Sequence, residues 1–431
     1  MKLKLVNMNY LVLFSAILLT VSCTSKKKSQ LEKENHSADS LQNTEGHEAS
    51  INYADDVKFM ADYIDVIQLT DASQESKVAL SAALQGRVMT SSAFGDQGRS
   101  YGWINRELFA SRDTLDHINV FGGEERFWLG PEGGQYSIFF KKGAEFTLEN
   151  WYTPRLIDLE PFEVKSVSSE KAVFTKKASL ENYSGFTFDM GIEREISILS
   201  KSELQKALGL SSLADGIKTV GYQTKNTMTN LGETAWEKDT GLLSMWMLGM
   251  FNHSPHTTIL IPFIKGDDAE LGQVVNDNYF GKVPSDRLKV KDGVIYFKGD
   301  GEYRSKIGLS PRRAKSIAGS YDSENGVLTI VKYNKPAGIT DYVNSMWEIQ
   351  DKPFEGDVIN AYNDGEPEPG AKPLGPFYEL ETSSPALALK AGESGTHIQL
   401  TCHLEGDSES LNPIIKELFG VTVDDIKAAF N

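Results

Sequence analysis

Short segments that alternate apolar and polar residues follow one another through most of the chain from about residue 52 onward. The clearest covers residues 186–199, where Phe186, Phe188 and Met190 fall on one face and Thr187 falls on the other. Turn-forming residues separate these segments at intervals of roughly eight to fifteen positions, as in antiparallel β proteins. Because a period of two is typical of strands with one buried face, the pattern predicts a mainly β fold.

Helical patterns are few. Short amphipathic ones fall near residues 55–64 and 203–213, and a longer one covers 411–430 after a polar break. No linker rich in proline or serine interrupts residues 53–404, and no fixed-period repeat is present. A continuous β region of this size exceeds an immunoglobulin-like sandwich. We therefore expect one many-stranded double sheet over 53–404 and a C-terminal helical appendage over 405–431.

The first residues are typical of an export signal. Lys2 and Lys4 precede an apolar run, residues 10–21, that is too short to span a bilayer comfortably. The run ends in TVSC at Cys23, and this end resembles the lipobox at which bacterial lipoproteins are acylated and cut. We expect a signal peptide over residues 1–22 and a lipid on Cys23, which places the protein at the cell envelope, in the outer membrane of a Gram-negative bacterium. Plain secretion and an uncleaved anchor are the alternatives.

Composition narrows the possible partners. Residues 23–52 contain almost no aromatic or β-branched side chains and predict a flexible polar tether. The formal net charge of −16 at pH 7 disfavours binding to nucleic acid. Cys402 is the only cysteine besides Cys23, so a lipid on Cys23 leaves no intramolecular disulfide. With no phosphate-cradling Walker loop and no CxxC pair in the sequence, we expect no cofactor.

Several segments, in the order in which they occur, resemble segments of the galactose mutarotase-like superfamily. They are QGRV at 85–88, FGG at 121–123, the strand-like 220–233, NHS at 252–254 and FYELET at 377–382. The resemblance implies a β-supersandwich fold and a role in binding or modifying carbohydrate. Residues 122–137 are also similar to a branch of secreted proteins of unknown role within the same superfamily.

The resemblance implies that Glu381 is the base and His253 the acid of a sugar epimerase or mutarotase. Anomerisation requires a base for the C1 hydroxyl proton and an acid for the ring oxygen, and carboxylate and imidazole groups suit both tasks. Glu379 lies two positions from Glu381 and therefore on the same face of a strand. Phe121 stands where the resemblance implies a second histidine, so the chain is either a degenerate epimerase-like protein or one in which a turn at Pro255 brings His256 beside His253 to compensate. Catalysis of this kind requires Glu381 and His253 within side-chain reach of one another.

Further residues are candidates for contacting a sugar, because aromatic faces stack on its C–H surface while charged and amide groups bond its hydroxyls. They are Arg87, Asn105, Arg126, Trp128, Glu132 and His256. Each has a simpler interpretation. Tryptophans are commonly core residues, the histidines suit a hydrogen-bonded turn, and Glu124 and Glu125 with Arg126 favour a surface ion pair. The histidines also lack the further partners that a metal site needs, so no metal is expected.

Two functions follow from these observations. The first is an envelope-anchored lipoprotein that binds or modifies carbohydrate, held to the membrane by its N-terminal lipid. The alternative is a non-catalytic envelope scaffold or partner-binding lipoprotein. A cleft filled by side chains would favour the second function. Whether paired carboxylates support glycoside hydrolysis depends on their separation in space, which the sequence does not give.

Overall fold

The computed structural model describes residues 52–430 of the 431-residue chain. The expected signal peptide, Cys23 and almost all of the expected tether lie outside the described residues. Within residues 52–430 the backbone forms eighteen strands and seven α-helices. The mainly β fold predicted from the alternating pattern is therefore confirmed.

The strands are distributed along the whole described region. They are β1 (Ile67–Thr70), β2 (Lys77–Ser81), β3 (Arg87–Ser92), β4 (Arg126–Gly130), β5 (Glu163–Val167), β6 (Lys171–Glu181), β7 (Thr187–Ile198), β8 (Lys218–Asn230), β9 (Ser244–Asn252), β10 (Thr257–Pro262), β11 (Leu288–Lys291), β12 (Val294–Lys298), β13 (Ser305–Leu309), β14 (Ile317–Asp322), β15 (Val327–Tyr333), β16 (Ile359–Asn363), β17 (Phe377–Ser383) and β18 (Ser394–Glu405). The α-helices are α1 (Tyr53–Ala61), α2 (Arg106–Ser111), α3 (Arg155–Asp158), α4 (Lys201–Leu208), α5 (Asp268–Leu271), α6 (Ser408–Phe419) and α7 (Val423–Lys427).

These strands pair into three antiparallel sheets. The largest has ten strands in the order β11-β12-β10-β14-β15-β18-β8-β7-β6-β5. A five-stranded sheet has the order β13-β16-β17-β9-β4, and a small one joins β1, β2 and β3. In β7 the buried residues alternate along the strand and include Phe188, Met190 and Ile192, which is the alternation that the sequence predicts.

The five-stranded sheet packs its inner face against the ten-stranded sheet. Tyr378 and Leu380 of β17 belong to the same core cluster as Ile259 of β10. Because successive side chains of a strand point to opposite faces, Glu379 and Glu381 lie on the outer face of the five-stranded sheet. The predicted stacking of two large sheets is confirmed, and the acidic pair faces away from their shared core.

Charged side chains are also buried between the two sheets. Arg194 Nη2 donates to Glu125 Oε1 at 2.9 Å, and both side chains are fully buried. Glu124 Oε2 lies 3.2 Å from His403 Nε2, also inside. The expected surface ion pair among Glu124, Glu125 and Arg126 is wrong, because this segment enters β4 between the sheets. Burial is the main cause that raises the pKa of Glu125 and lowers that of Arg194.

The two C-terminal helices pack on the ten-stranded sheet. The helical pattern over 411–430 forms two helices, because Gly420 takes a left-handed φ of 79° after α6 and Thr422 caps the start of α7. Leu411 and Ile415 of α6 pack in one cluster with Cys402 of the ten-stranded sheet. None of the helices between residues 52 and 430 is both long and apolar enough to cross a membrane.

Candidate functional site

The outer face of the five-stranded sheet carries the acidic pair of β17. In the strand register Glu381 lies opposite Leu248 of β9 and Asn360 of β16. Glu379 lies one step along the same face, opposite Met250 and Tyr362. The two edge strands, β4 and β13, place Arg126 and Lys306 on this face as well. Two carboxylates and two cations are thereby gathered on one sheet surface.

A cavity of about 580 Å³ opens above this face. Its walls combine aromatic side chains with polar ones, which is the usual composition of a small-molecule site of this volume. The aromatic residues are Trp151, Trp246, Tyr279, Phe280 and Trp347, and the main charged and amide residues are Glu132, Arg304, Lys306, Asp357, Asn360 and Asp364. The cavity is therefore open rather than filled by side chains.

Glu381 is fully buried beneath two residues of the cavity. Lys306 Nζ donates to Glu381 Oε2 at 3.0 Å, and Trp246 Nε1 donates to the same oxygen at 2.9 Å. The Lys306 ammonium also lies over the rings of Trp246 at 4.9 Å and Tyr279 at 5.7 Å. Burial alone lowers the pKa of Lys306, but Glu381, Glu132 and other carboxylates outweigh it and the net change is upward. Lys306 therefore remains a cation at neutral pH.

Glu379 lies beside Glu381 and forms an ion pair with Arg126. The Arg126 guanidinium also stacks over Trp128 at 5.0 Å. Burial is the largest cause that raises the pKa of Glu379, to about 7, and the charge of Glu381 adds to it while Arg126 opposes it. Glu379 therefore titrates near neutral pH.

Two loops form one wall of the cavity. Trp347 Nε1 donates to Glu132 Oε1 at 3.1 Å, and burial raises the pKa of Glu132. Gln135 and Gln350 hold the loops together, because each donates to the other, at 2.8 and 2.9 Å. Glu132 thus presents its carboxyl to the cavity from a loop pair that is fixed by hydrogen bonds.

The opposite wall contains two aspartates, each bonded by a tyrosine. The Tyr279 hydroxyl donates to Asp357 Oδ2 at 2.6 Å, and the Tyr362 hydroxyl donates to Asp364 Oδ1 at 2.6 Å. Asn360 in turn donates to the Tyr279 oxygen at 3.1 Å. Burial is the main cause that raises the pKa of both aspartates. The cavity therefore offers several oriented polar groups around its aromatic rings.

Comparison with known families gives one match, over residues 51–430, to the family of unknown function DUF6786. The chain belongs to this family. No curated protein sequence matches it.

Several solved structures are similar to this DUF6786 protein at low identity. The Slr1438 protein of Synechocystis sp. PCC 6803 is 13% identical with a TM-score of 0.46, and the alignment covers 80% of this chain and 98% of that one. A galactose mutarotase-like protein from Lactobacillus casei is 13% identical with a TM-score of 0.43, over 79% and 100% of the two chains. A galactose mutarotase related enzyme from Lactobacillus acidophilus is 10% identical with a TM-score of 0.43, over 79% and 98%.

The predicted convergence of His253 with Glu381 is wrong in this DUF6786 structure. Glu381 pairs with Leu248, whereas His253 follows Asn252, the last residue of β9. Four strand positions separate Leu248 from Asn252, which corresponds to roughly 13 Å. His253 lies instead against Gly301, where an added Cβ would be 2.8 Å from its Nε2, and burial lowers its pKa. The imidazole cannot act together with Glu381 on one ligand.

The structure also separates other predicted residues from the cavity. His256 is exposed in the turn before β10. Arg87 is buried and donates to the Gly122 carbonyl oxygen at 3.0 Å. Asn105 caps α2 by accepting from the Leu108 amide. None of these three residues lines the cavity, and Arg87 and Asn105 make hydrogen bonds within the fold instead.

The remaining predicted residues lie at or beneath the cavity. Glu132 lines it, whereas Arg126 and Trp128 are buried next to its lining. The Trp128 ring meets the edge of Trp246 with 5.8 Å between centroids. Phe121 packs on Phe109 instead, at 4.8 Å between centroids. Only part of the predicted set is thus brought together.

Sequence reasoning missed most of the residues that line the cavity. Lys306 carried a usable signal, since it is the one charged residue in the strand SKIGL, where Ile307 and Leu309 are apolar. Trp347, Asp357 and Arg304 gave no comparable signal, because they come from loops or strand ends whose approach depends on the sheet order. Their shared site could be found only from the fold.

Proposed function

We propose that this protein binds a carbohydrate in the cavity above the five-stranded sheet. The observation that carries the proposal is the combination of tryptophan faces with fixed hydrogen-bonding groups in one open volume of about 580 Å³. The C–H face of a sugar ring packs on an aromatic ring while its hydroxyls bond to amide and carboxyl groups. Trp246, Trp347 and Asn360 supply both kinds of contact. A cavity filled by side chains would have favoured the scaffold function.

We further propose that binding occurs without turnover of the sugar. Glu381 is fully buried and held by Lys306 and Trp246, and Glu379 is held by Arg126. A general base must lie within hydrogen-bond reach of the proton that it removes. Neither carboxylate is part of the cavity lining, and no histidine within residues 52–430 lines it. This arrangement supports a binding protein over an epimerase.

The binding proposal can be tested with a glycan array followed by isothermal titration calorimetry on the saccharides that bind. The variant Trp347→Ala removes an aromatic wall and is expected to weaken binding by about tenfold, as for a buried aromatic contact. Phe94→Ala is the matched control, because Phe94 is 50% exposed and packs with Lys218 outside the cavity. Equal affinities of the Trp347→Ala protein and the wild type would contradict the assignment of the cavity.

Polarimetry separates binding from catalysis. With aldoses as substrates, we expect the protein to leave the rate of mutarotation at its spontaneous value. If the protein instead accelerates mutarotation, and Glu381→Gln removes the acceleration, then the protein is an epimerase and the binding-only proposal fails.

The location of the protein in the cell is a separate proposal. We propose that a lipid on Cys23 anchors the mature protein at the cell envelope, and the support for it is the apolar run that ends in TVSC. Cells that express the chain with a labelled fatty acid are expected to incorporate the label. Cys23→Ser should abolish incorporation and release the protein from the membrane fraction. Unchanged membrane association of the unlabelled variant would contradict lipid anchoring.

A further inference from the structure

Arg304 differs from the other cations that line the cavity because it forms no ion pair with a carboxylate in the described part of the chain. Within residues 52–430 its guanidinium forms no hydrogen bond or ion pair, and it stacks on Phe280 with 4.0 Å between Cζ and the ring centroid. Lys306 is paired with Glu381, and Lys372 is paired with Glu107. A guanidinium held over an aromatic ring can still direct N–H donors to a ligand.

The two aspartates that line the cavity form no ion pair with Arg304. Asp364 is close enough for Arg304 to act on its charge, yet it accepts from the Tyr362 hydroxyl and from the Gly375 amide, at 2.6 and 2.7 Å. Asp357 accepts from Tyr279. Asp364 and Asp357 are therefore already bonded by protein donors, and neither forms an ion pair with Arg304.

The mouth of the cavity is apolar and exposed. Leu148 is 68% exposed, and Phe280 and Leu374 are each 48% exposed, although all three line the cavity. Large apolar side chains in such positions commonly mark the path of a ligand. A ligand that fills the tryptophan-lined interior and also covers this rim is longer than a single sugar ring.

We propose that the natural ligand is an acidic oligosaccharide, whose carboxylate or sulfate group binds Arg304 while its sugar rings pack on the aromatic walls. This inference rests on the proposed carbohydrate function and specifies the class of ligand. Carboxylate and sulfate groups can each present two oxygens to the arginine fork in a bidentate geometry, and such charge-assisted hydrogen bonds are about twice as strong as neutral ones. A neutral saccharide could accept hydrogen bonds from Arg304 through its hydroxyls, but it would supply no opposite charge.

The test begins with an array of neutral, uronate-containing and sulfated oligosaccharides, probed with the full chain. Trigalacturonate and its methyl ester, which share the same sugar backbone and differ in the charge and methylation of the carboxyl groups, then serve as a matched pair for calorimetry together with a sulfated galactose tetrasaccharide. The uronate and sulfate arms distinguish the two sources of the oxyanion. Three proteins are compared, namely wild type, Arg304→Gln and Arg304→Lys. Arg312→Gln is the control for net charge, since Arg312 is exposed and bonds the Glu270 carbonyl oxygen away from the cavity.

Acidic oligosaccharides are expected to bind the wild type about tenfold to a hundredfold more tightly than their neutral counterparts. Arg304→Gln should remove this preference while binding of the neutral forms persists, Arg304→Lys should restore only part of it, and Arg312→Gln should keep it. Equal binding of neutral and acidic forms by the wild type overturns the acidic ligand and leaves the carbohydrate function standing. A preference for acidic forms that survives in Arg304→Gln overturns the role of Arg304. Binding of no saccharide on the array overturns both proposals.

Discussion

At the level of single residues, Glu379 couples the electrostatics of the site to the stability of the protein. Its pKa is raised to about 7 in the folded state, first by burial and then by Glu381. A raised carboxyl pKa means that the folded state binds the proton more tightly than the unfolded state does. The stability that this proton contributes is fully present below about pH 4.5 and is lost as the pH rises through about 7.

We therefore expect the free energy of unfolding to fall between pH 5 and pH 8 by up to a few kcal/mol through this group, since each pKa unit corresponds to about 1.4 kcal/mol. In Glu379→Gln that pH dependence should disappear, because an amide does not titrate in this range. Urea unfolding at several pH values measures this dependence. Glu355→Gln, in an exposed ion pair with Lys352, should keep the wild-type slope, and an equal slope in Glu379→Gln would contradict the assignment.

The buried ion pair of Lys306 and Glu381 gives a second prediction about single residues. Both are largely buried, with Nζ to Oε2 at 3.0 Å, so removing one partner leaves the other charge uncompensated. Lys306→Met is expected to cost about 3 to 5 kcal/mol of unfolding free energy, and Lys306→Met with Glu381→Leu should recover most of that loss. A double-mutant cycle from chemical denaturation measures the coupling. A coupling below about 1 kcal/mol, as for exposed pairs, would show that the contact is not a buried ion pair.

The positions of single residues in the sequence were enough to predict part of this site. The two-residue spacing of Glu379 and Glu381 was sufficient to place them on one face, because side-chain direction alternates along any strand. The partners Lys306 and Arg126 could not be derived in the same way, since they come from strands far away in the chain. Their approach depends on strand order, which local patterns do not encode.

At the level of secondary-structure elements, the pairing of β9 with β17 determines where His253, the predicted acid, lies. The sequence favoured a turn around His253, and the register places the strand end that precedes this turn, at Asn252, opposite Phe377 rather than Glu381. Register depends on which apolar residues meet the core of the opposing sheet. It is a property of two packed sheets and is therefore not available from one segment.

The loop pair that forms the cavity wall gives a prediction at the level of elements. Gly133 lies against the loop that carries Trp347, and an added Cβ would be 2.3 Å from the Met346 carbonyl oxygen. Gly133→Ala is expected to separate the loops, lower the unfolding free energy by about 1 to 3 kcal/mol and weaken saccharide binding. Gly216→Ala is the matched control, because no atom lies within 4 Å of its added Cβ. Wild-type melting and binding of Gly133→Ala would show that the loops are not tightly apposed.

For the whole molecule, the period-two pattern was sufficient to predict a mainly β fold, and the few helical patterns located α1, α4 and the C-terminal helices. The pattern does not determine sheet membership, since β9 and β10 follow one another in the chain yet belong to different sheets. The buried pair of Arg194 and Glu125 was also unpredictable, because charged residues normally lie on the surface. Only the stacking of the two sheets explains why these charges are enclosed.

Cys402 provides a reporter of unfolding for the whole molecule. It is fully buried on β18, which lies between β15 and β8 near the middle of the ten-stranded sheet, and burial raises the pKa of its thiol. Because thiolate and access both limit the reactivity of a cysteine, we expect a thiol reagent to label it only when the central sheet opens. With Cys23 replaced by serine, Cys402 is the only thiol in the chain.

The logarithm of the labelling rate should then rise linearly with urea concentration, with the slope that global unfolding shows. The reason is that central strands open only with the full free energy of unfolding. A ligand that binds the cavity should slow labelling by the factor 1 + [L]/Kd, even though Cys402 lies on the other sheet, since binding stabilises every residue that opens globally. Absence of labelling in Cys402→Ala is the control. A labelling rate that depends on neither urea nor ligand would show that Cys402 becomes accessible by a local opening, such as detachment of α6, and not by global unfolding.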